Sequence, residues 1–319
     1  MTGIKRKVIQ IAGSTSLVSL PKEWVKKHNI KKGMELDLQE QGSKMIVSTD
    51  SSPELETKVI DVTGMDRSSI IFYIRSSYRK GYDSIEIRYN EPISTHLRTG
   101  KTKKISSIIH EEIARLVGVE VIQQKENSCL VKSISESSAK DFSNILRRVF
   151  ILLKDAFDEV IRGITTGNAS LLETLEERHD NITKFISYSL RLLNKKGHAV
   201  MSDVTSFYQI VTSLEEITDI LKWIARESLS MKSPKFDERA KKVMGQIAEA
   251  FNEYQDLFYK FDPKKVAKFY GTRHDAKTGF KAAMKKVSLE QALILRNALH
   301  ILDILVSITE VRMGIEAPK

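Results

Sequence analysis

Apolar residues at helical spacing run through the second half of the chain almost without interruption, and this pattern most limits the possible folds. The alternation typical of strands stops after Ser135, and a period of about 3.6 residues follows. A Ser-Pro break at 233–234 separates two sets of three helices. The pattern predicts an all-α domain at 136–319 made of two three-helix bundles, 136–232 and 235–315. The predicted helices span 138–164, 169–195, 202–230, 236–260, 263–286 and 289–313.

The first 48 residues carry a different pattern, in the order strand, strand, short helix, strand, strand. Strands are predicted at 4–11 and 17–20 around the turn GSTS, and Pro21 suits the first position of the helix KEWVKKHNI. A hairpin is predicted over 34–48. A unit this small buries too little apolar surface to be stable alone. We therefore expect a domain over residues 1–50 that dimerises or packs against the rest of the chain.

Positive charge is concentrated in this N-terminal segment. Residues 1–32 hold eight Lys or Arg against one acid, Glu23, so +7 of the net charge of +10 lies there. Such a charge density attracts phosphate backbones, although a basic surface alone more often serves solubility.

The stretch GSTSLVSLPKEWVKKHNIKKGMELDL resembles the swapped-hairpin DNA-binding domain of the AbrB/SpoVT type. The resemblance implies that two chains interlace into one small β-barrel whose basic strands and loops contact DNA. The turn at 13–16 lacks the arginine that tightly binding members often carry, which weakens base readout more than phosphate contact. Dimerisation without DNA binding is the alternative. The DNA-contacting residues that the resemblance implies are Lys5, Arg6, Lys7, Ser14, Ser16 and Lys22.

The sequence pattern over residues 54–135 predicts a small α/β domain. Helices are predicted at 68–80 and 105–117, among strands at 58–62 and 84–89 and a hairpin over 119–134. The basic loop THLRTGKTKK lacks the first glycine of a phosphate-binding loop, because Thr95 takes that place. No functional site is predicted in this domain.

Acidic pairs recur on the predicted helices of the C-terminal domain. Glu176 and Asp180 stand one turn apart on one helix, and Glu215 and Asp219 do so on the next. Side chains in this arrangement can share a cation, and four carboxylates suit a hard or borderline metal. The alternative is ordinary ion pairing with neighbouring bases such as Lys222. In the second set of helices only the aspartates recur, and they form the weaker candidate site: Asp275 and Asp303.

These motifs resemble the PhoU family, whose two three-helix bundles carry paired Glu/Asp-x-x-x-Asp motifs. The segments that carry the likeness are LEERHDNITKFI, SLEEITDILKWIA, RHDAKTGFKAAM and LHILDILVSITEV. The resemblance implies a cytoplasmic regulator of phosphate homeostasis that binds partner proteins and holds divalent or trivalent metal ions in those motifs. An AbrB-type module joined to PhoU-type bundles through an α/β unit resembles the archaeal phosphate uptake regulators. The predicted fold class is therefore multidomain α+β.

Catalytic signatures are missing from the sequence. Glu176-x-x-His179 is half of a di-iron motif and has no second copy, and no nucleophile elbow, Walker loop or dinucleotide fingerprint occurs. We expect no stretch of the chain to reach the roughly 20 apolar residues of a membrane span. We expect a cytoplasmic protein that is not an enzyme and does not insert into membranes.

Two functions fit the sequence. The first is a DNA-binding regulator of phosphate uptake that dimerises through its N-terminal domain. The second is a protein-binding adaptor that restrains a phosphate transporter or its sensor and uses the N-terminal domain for dimerisation alone.

Overall fold

A computed structural model of the chain describes residues 4–11, 13, 15–41, 43–49, 56–135, 141–197, 200–201, 203–231 and 235–315. The chain forms two compact units, Met1–Leu55 and Glu56–Lys319. Together they make a multidomain α+β protein with small β-hairpins at the N-terminus and a helical C-terminal region, as predicted. The predicted middle and helical domains both lie within the second unit.

The N-terminal unit consists of two hairpins and one short helix. Strands β1 (Val8–Ile11) and β2 (Thr15–Val18) pair antiparallel, and helix α1 (Lys22–Lys27) follows Pro21. Strands β3 (Leu36–Gln41) and β4 (Lys44–Thr49) form the second antiparallel hairpin. Among the described residues of this unit no closed barrel is present, and the two hairpins form separate two-stranded sheets.

Apolar side chains of the N-terminal unit are not covered within one chain. None of the described residues between 4 and 49 is buried. Ile9, Leu38 and Met45 are 56%, 62% and 66% exposed. A folded unit that leaves such side chains in water lacks the burial that stabilises a domain.

The second unit begins with a four-stranded sheet, whose strands lie in the order β5 (Thr57–Asp61), β6 (Ser84–Arg88), β10 (Ser128–Ser133) and β9 (Val119–Lys125). Helices α2 (Arg67–Lys80) and α3 (Ile105–Ala114) bury Ile74, Ile108 and their apolar neighbours in one core with the sheet. The basic loop contains a short hairpin that was not predicted, β7 paired with β8. The strands are β5 (Thr57–Asp61), β6 (Ser84–Arg88), β7 (Ile93–Thr95), β8 (Thr102–Lys104), β9 (Val119–Lys125) and β10 (Ser128–Ser133).

Seven described helices form the C-terminal region, one more than predicted. The second predicted helix is divided at Thr174 into α5 (Ala169–Glu173) and α6 (Leu175–Lys196). Both predicted bundles share one continuous hydrophobic core, in which the Phe157 and Phe251 rings stack with centroids 4.7 Å apart. The helices are α4 (Phe142–Thr166), α5 (Ala169–Glu173), α6 (Leu175–Lys196), α7 (Val204–Ser230), α8 (Glu238–Tyr259), α9 (Pro263–Ala283) and α10 (Leu289–Gly314).

Helix α10 corrects one expectation from the sequence. Within the described part of the chain it is the one helix long and apolar enough to cross a membrane, whereas no such stretch was expected. More than half of its most apolar stretch is buried against other helices. A helix in the core of a bundle is as apolar as a membrane span, because other helices surround it.

Helix α6 packs against α2 and so joins the sheet to the helical region. The guanidinium of Arg191 is buried and donates to the carbonyl oxygens of Tyr78 and Tyr82, at 2.8 and 2.9 Å. Gly81 ends α2 with φ of 107°, a conformation that favours glycine. These contacts fix α2 beside the acidic motifs of α6 and α7.

Candidate functional site

The predicted DNA-contacting residues that the structure describes are all exposed. Lys5, Arg6 and Lys7 are consecutive and lead into β1, Ser16 lies on β2, and Lys22 is the first residue of α1. None of these bases makes an ion pair with a described residue. Ser14 lies outside the described residues. Cations without an ion-pair partner in the folded chain are available to phosphate groups.

Further bases lie on and just after α1. Lys26, Lys27, Lys31 and Lys32 are exposed as well. They contribute to the predicted charge of the segment but are not among the predicted DNA contacts. Lysine provides a point charge to phosphates and is a weaker reader of base edges than a bidentate arginine. The composition therefore favours contact with the DNA backbone.

The second candidate site is the acidic surface of α6 and α7. Glu215 of α7 is one of its residues. Both carboxylate oxygens of Glu215 accept hydrogen bonds from Arg79 of α2, one of them from Nη1 at 2.9 Å. Arg79 also donates from Nη2 to the hydroxyl oxygen of Ser187 on α6, at 3.0 Å. The carboxylate is thus neutralised by a base from the α/β region, where no site was predicted.

Asp180 and Asp219 are brought together by His179. The Nε2 atom of His179 lies 2.8 Å from Asp219 Oδ1, and its Nδ1 atom lies 3.3 Å from Asp180 Oδ1. The ammonium of Lys222 donates to Asp219 Oδ1 at 2.9 Å and lies 2.7 Å from His179 Nε2. Arg115 pairs with Asp180 at 2.9 Å from the other side. Two of the four predicted acids therefore belong to one hydrogen-bonded network.

The network shifts the pKa values of its members. Burial alone would lower the pKa of His179, but hydrogen bonds to Asp180 and Asp219 outweigh it and raise that pKa above the ordinary 6.5. Burial would raise the pKa of Asp219, but hydrogen bonds from His179 and Lys222 lower it well below its usual range. The two carboxylates therefore stabilise the charged form of His179 against the opposing charge of Lys222, and His179 and Lys222 stabilise the charged form of Asp219.

The remaining predicted acids are separate from this network. Glu176 pairs with Arg226 at an exposed position. In the second set of helices, Asp303 pairs with Lys277 at 2.7 Å, whereas Asp275 lines a different cavity between α8 and α9. The equivalent spacing in sequence does not bring the two aspartates to one place.

As arranged, the donors do not fit a metal ion. Each of the four first-half acids already has a basic partner from the chain, and the Lys222 ammonium lies against both His179 and Asp219. Across the described residues no group of three His, Cys, Asp or Glu side chains is placed to hold a metal. Metal binding stays a prediction, and it requires Lys222 to leave its position.

One signal for the Arg79 contact is present in the sequence. Arg75 and Arg79 are four residues apart on α2, the same spacing as the acids of α7. Arg75 pairs instead with the buried carboxylate of Glu112, where Nε donates at 2.8 Å. A basic i, i+4 pair is the complement of an acidic one, but its partner cannot be identified from spacing alone.

Residues 9–54 match a family model described as antidote-toxin recognition MazE, bacterial antitoxin. A comparison with curated proteins and one with solved structures give no match. The N-terminal segment is therefore a MazE/AbrB-like domain of the SpoVT/AbrB type, in agreement with the sequence prediction for this part. The match says nothing of a PhoU-like region or of phosphate, which stay predictions.

Proposed function

We propose that the chain is a dimeric DNA-binding regulator that acts in the cytoplasm and is not an enzyme. The observation that carries this proposal is the MazE/AbrB-like domain at residues 9–54, because domains of this family typically bind DNA and dimerise. The exposed bases that lead into β1 supply the phosphate-binding charge.

The uncovered apolar side chains of the N-terminal unit support dimerisation. Ile9, Leu38 and Met45 are each more than half exposed within one chain. A second copy that interlaces its hairpins with the first buries these side chains and closes the predicted barrel. The dimer then carries two copies of the basic segment, and both can contact phosphates along one DNA duplex.

The helical region supplies the regulatory half of the proposal. Its resemblance to PhoU bundles supports a role in phosphate homeostasis, with a phosphate transporter or its sensor as partner. The DNA target is then the promoter of a phosphate transporter gene. Metal ions at the four first-half carboxylates, Glu176, Asp180, Glu215 and Asp219, belong to the same proposal and require Lys222 to leave His179 and Asp219. Elemental analysis of the purified protein, beside a variant with Glu215 and Asp219 changed to Ala, tests them.

An equilibrium shift assay on such a promoter tests the proposal. The variant Lys5→Ala, Arg6→Ala, Lys7→Ala is compared with Lys281→Ala, Lys285→Ala, Lys286→Ala, which removes the same charge from exposed positions at the end of α9. We expect the first variant to lose at least about tenfold in affinity and the second to bind like the unchanged chain. Equal affinity of all three proteins contradicts DNA binding through this segment.

The adaptor function is the second candidate, and the matched family description favours it because it names recognition of a protein, the toxin. In this case the N-terminal domain dimerises and contacts protein rather than DNA. Co-purification that recovers a transporter component, a sensor or a toxin, together with no promoter binding at low salt, selects the adaptor.

A further inference from the structure

A cleft of about 460 Å³ lies at one end of the helical region, where α4 and α7 begin and α8 and α10 end. Its described lining residues all belong to Glu56–Lys319, so the cleft is independent of the N-terminal domain. Cavities of a few hundred cubic ångströms hold small ligands. None of these lining residues belongs to the basic segment or to the acidic surface of α6 and α7.

Arg312 of α10 is the buried cation of this cleft. The residue is 8% exposed, and its guanidinium donates from Nε to the carbonyl oxygen of Phe258 at 2.8 Å and from Nη1 to that of Ile315 at 3.2 Å. It forms no ion pair with any described residue. Burial lowers the pKa of Arg312 below its usual value, whereas at Arg75 the bonds to Glu112 outweigh burial and raise the pKa. Neutral carbonyls satisfy hydrogen bonds, but they do not supply the counter-charge that a buried cation needs.

Arg147 of α4 is the second cation on the walls of the cleft. It is exposed, its guanidinium carbon lies 5.6 Å from the centroid of the Tyr259 ring, and it has no ion pair with a described residue either. No acidic side chain is among the described residues of the lining. On the acidic surface, by contrast, Arg79 and Lys222 are already paired with carboxylates of the chain. Two guanidinium groups without a counter-charge favour a carboxylate as ligand.

The rest of the lining is mainly apolar. Phe207 of α7 meets the rings of Phe142 and Phe258 at steep angles, with centroids 5.8 and 6.2 Å away. Such walls gain nothing from a small, fully hydrated anion, whereas an apolar group that covers them is removed from water. The apolar residues of the lining are Leu146, Met201, Phe207, Phe258, Tyr259 and Ile315.

We propose that this cleft binds a small carboxylic acid with an apolar body. The carboxylate lies against Arg147 and Arg312, and the apolar body packs on Phe207 and Leu146. The ligand thus supplies the counter-charge that Arg312 does not receive from the described chain. The assignment goes beyond DNA binding and does not depend on it.

Titration calorimetry of the full chain at fixed ionic strength tests the proposal. Phenylbutyrate and octanoate carry both the charge and an apolar body, phenylbutanol lacks the charge, and butyrate lacks most of the body. Arg147→Gln removes a charge contact, and Phe207→Ala removes an apolar one.

The next arginine of α4 provides the matched control. Arg148 is exposed, has no ion pair with a described residue and lies over the ring of Phe185, 5.9 Å from its centroid. Neither residue lines the cleft, and Phe185 is partly buried, as Phe207 is. The control variants are therefore Arg148→Gln and Phe185→Ala. Circular dichroism and the thermal midpoint establish that each variant is folded.

We expect both acids to bind at least about tenfold more tightly than phenylbutanol or butyrate. Arg147→Gln weakens the acids by about tenfold and leaves phenylbutanol unchanged, because one charge-assisted contact is lost. Phe207→Ala weakens the acids by about fivefold, because apolar contact is lost. Both control variants bind as the unchanged chain does.

Several results overturn the assignment. Failure of both acids to bind removes it directly. Phenylbutanol binding as tightly as phenylbutyrate shows an apolar cleft without a charge contact. Equal affinity of Arg147→Gln and Arg148→Gln for the acids places the ligand elsewhere. Binding of the acids only by a Glu316→Gln variant identifies that carboxylate, which lies outside the described residues, as the counter-charge. None of these results bears on promoter binding, which is measured separately.

Discussion

At the scale of single residues, the contact between Arg79 and Glu215 joins α2 to α7. The two residues are 136 positions apart in sequence, and both side chains are largely buried. The acid was predicted as a functional residue from its spacing with Asp219. Its partner was not, because sequence spacing shows which residues share a face of a helix but not which helix lies opposite.

Replacement of Arg79 by Ala is expected to lower the free energy of unfolding by about 1–3 kcal/mol, because Glu215 is left partly buried without its donor. Urea denaturation measures the change. Arg226→Ala is the matched control, since its partner Glu176 is exposed, and it is expected to cost less than about 1 kcal/mol. Equal losses in the two variants refute the structural role of Arg79.

Protonation of His179 is expected to make stability depend on pH. Its pKa is 6.5 in the unfolded chain and higher in the folded one, so its contribution is full below pH 6.5. The contribution is lost as pH rises through the folded pKa. The lowered pKa of Asp219 makes stability depend on pH in the acidic range. The stability that this carboxylate contributes is lost as pH falls below 3.8, the ordinary pKa of an aspartate.

His179→Gln is expected to remove the alkaline part of this dependence while leaving the acidic limb in weakened form. Unfolding free energies of both proteins, measured across the neutral range, show the difference directly. The His179 pKa from NMR titration provides the independent value. A folded pKa at or below 6.5 contradicts the network described here.

At the scale of helices and strands, the sequence predicted most positions but not all boundaries. The break at Thr174 was missed because its backbone stays in the right-handed helical region, with φ of −68° and ψ of −15°. The apolar stripe continues across it, so the pattern shows one helix. The shared core of the two bundles was also missed, because periodicity identifies an apolar face but not the helix it packs against.

Two helical glycines give opposite predictions for the same substitution. A Cβ atom at Gly163 of α4 would lie 2.7 Å from Leu172 Cδ2, whereas at Gly245 of α8 it would meet no atom within 4 Å. Gly245→Ala is expected to stabilise by up to about 1 kcal/mol through helix propensity. Gly163→Ala is expected to destabilise by about 1–3 kcal/mol, because α5 must shift away from α4.

Thermal unfolding of the two alanine variants tests this prediction, with each serving as the control for the other. A Gly163→Ala protein as stable as Gly245→Ala shows that α5 adapts without cost. The packing described for α4 against α5 is then wrong.

At the scale of the whole molecule, the chain combines a unit that has no core of its own with one that has two. The second unit buries one core beneath its sheet and another among its helices. The first unit buries no described residue. The small size of the N-terminal segment predicts that it needs a partner, whereas the two cores of the second unit are seen only in the structure.

Removal of residues 1–55 is therefore expected to leave a folded monomer, while the full chain is a dimer. Sedimentation equilibrium of both proteins measures their masses. A truncated chain that stays dimeric moves the dimer interface to the second unit. A monomeric full chain contradicts the account of the exposed Ile9, Leu38 and Met45.

The salt dependence of promoter binding tests the central claim most directly. Each phosphate contact contributes about 0.9 to the slope of log affinity against log salt, so a dimer that loses Lys5, Arg6 and Lys7 from both chains loses up to about 5. We expect this fall for the triple Ala variant, and an unchanged slope for the variant of Lys281, Lys285 and Lys286. A slope that is the same in both variants contradicts DNA recognition by the N-terminal domain.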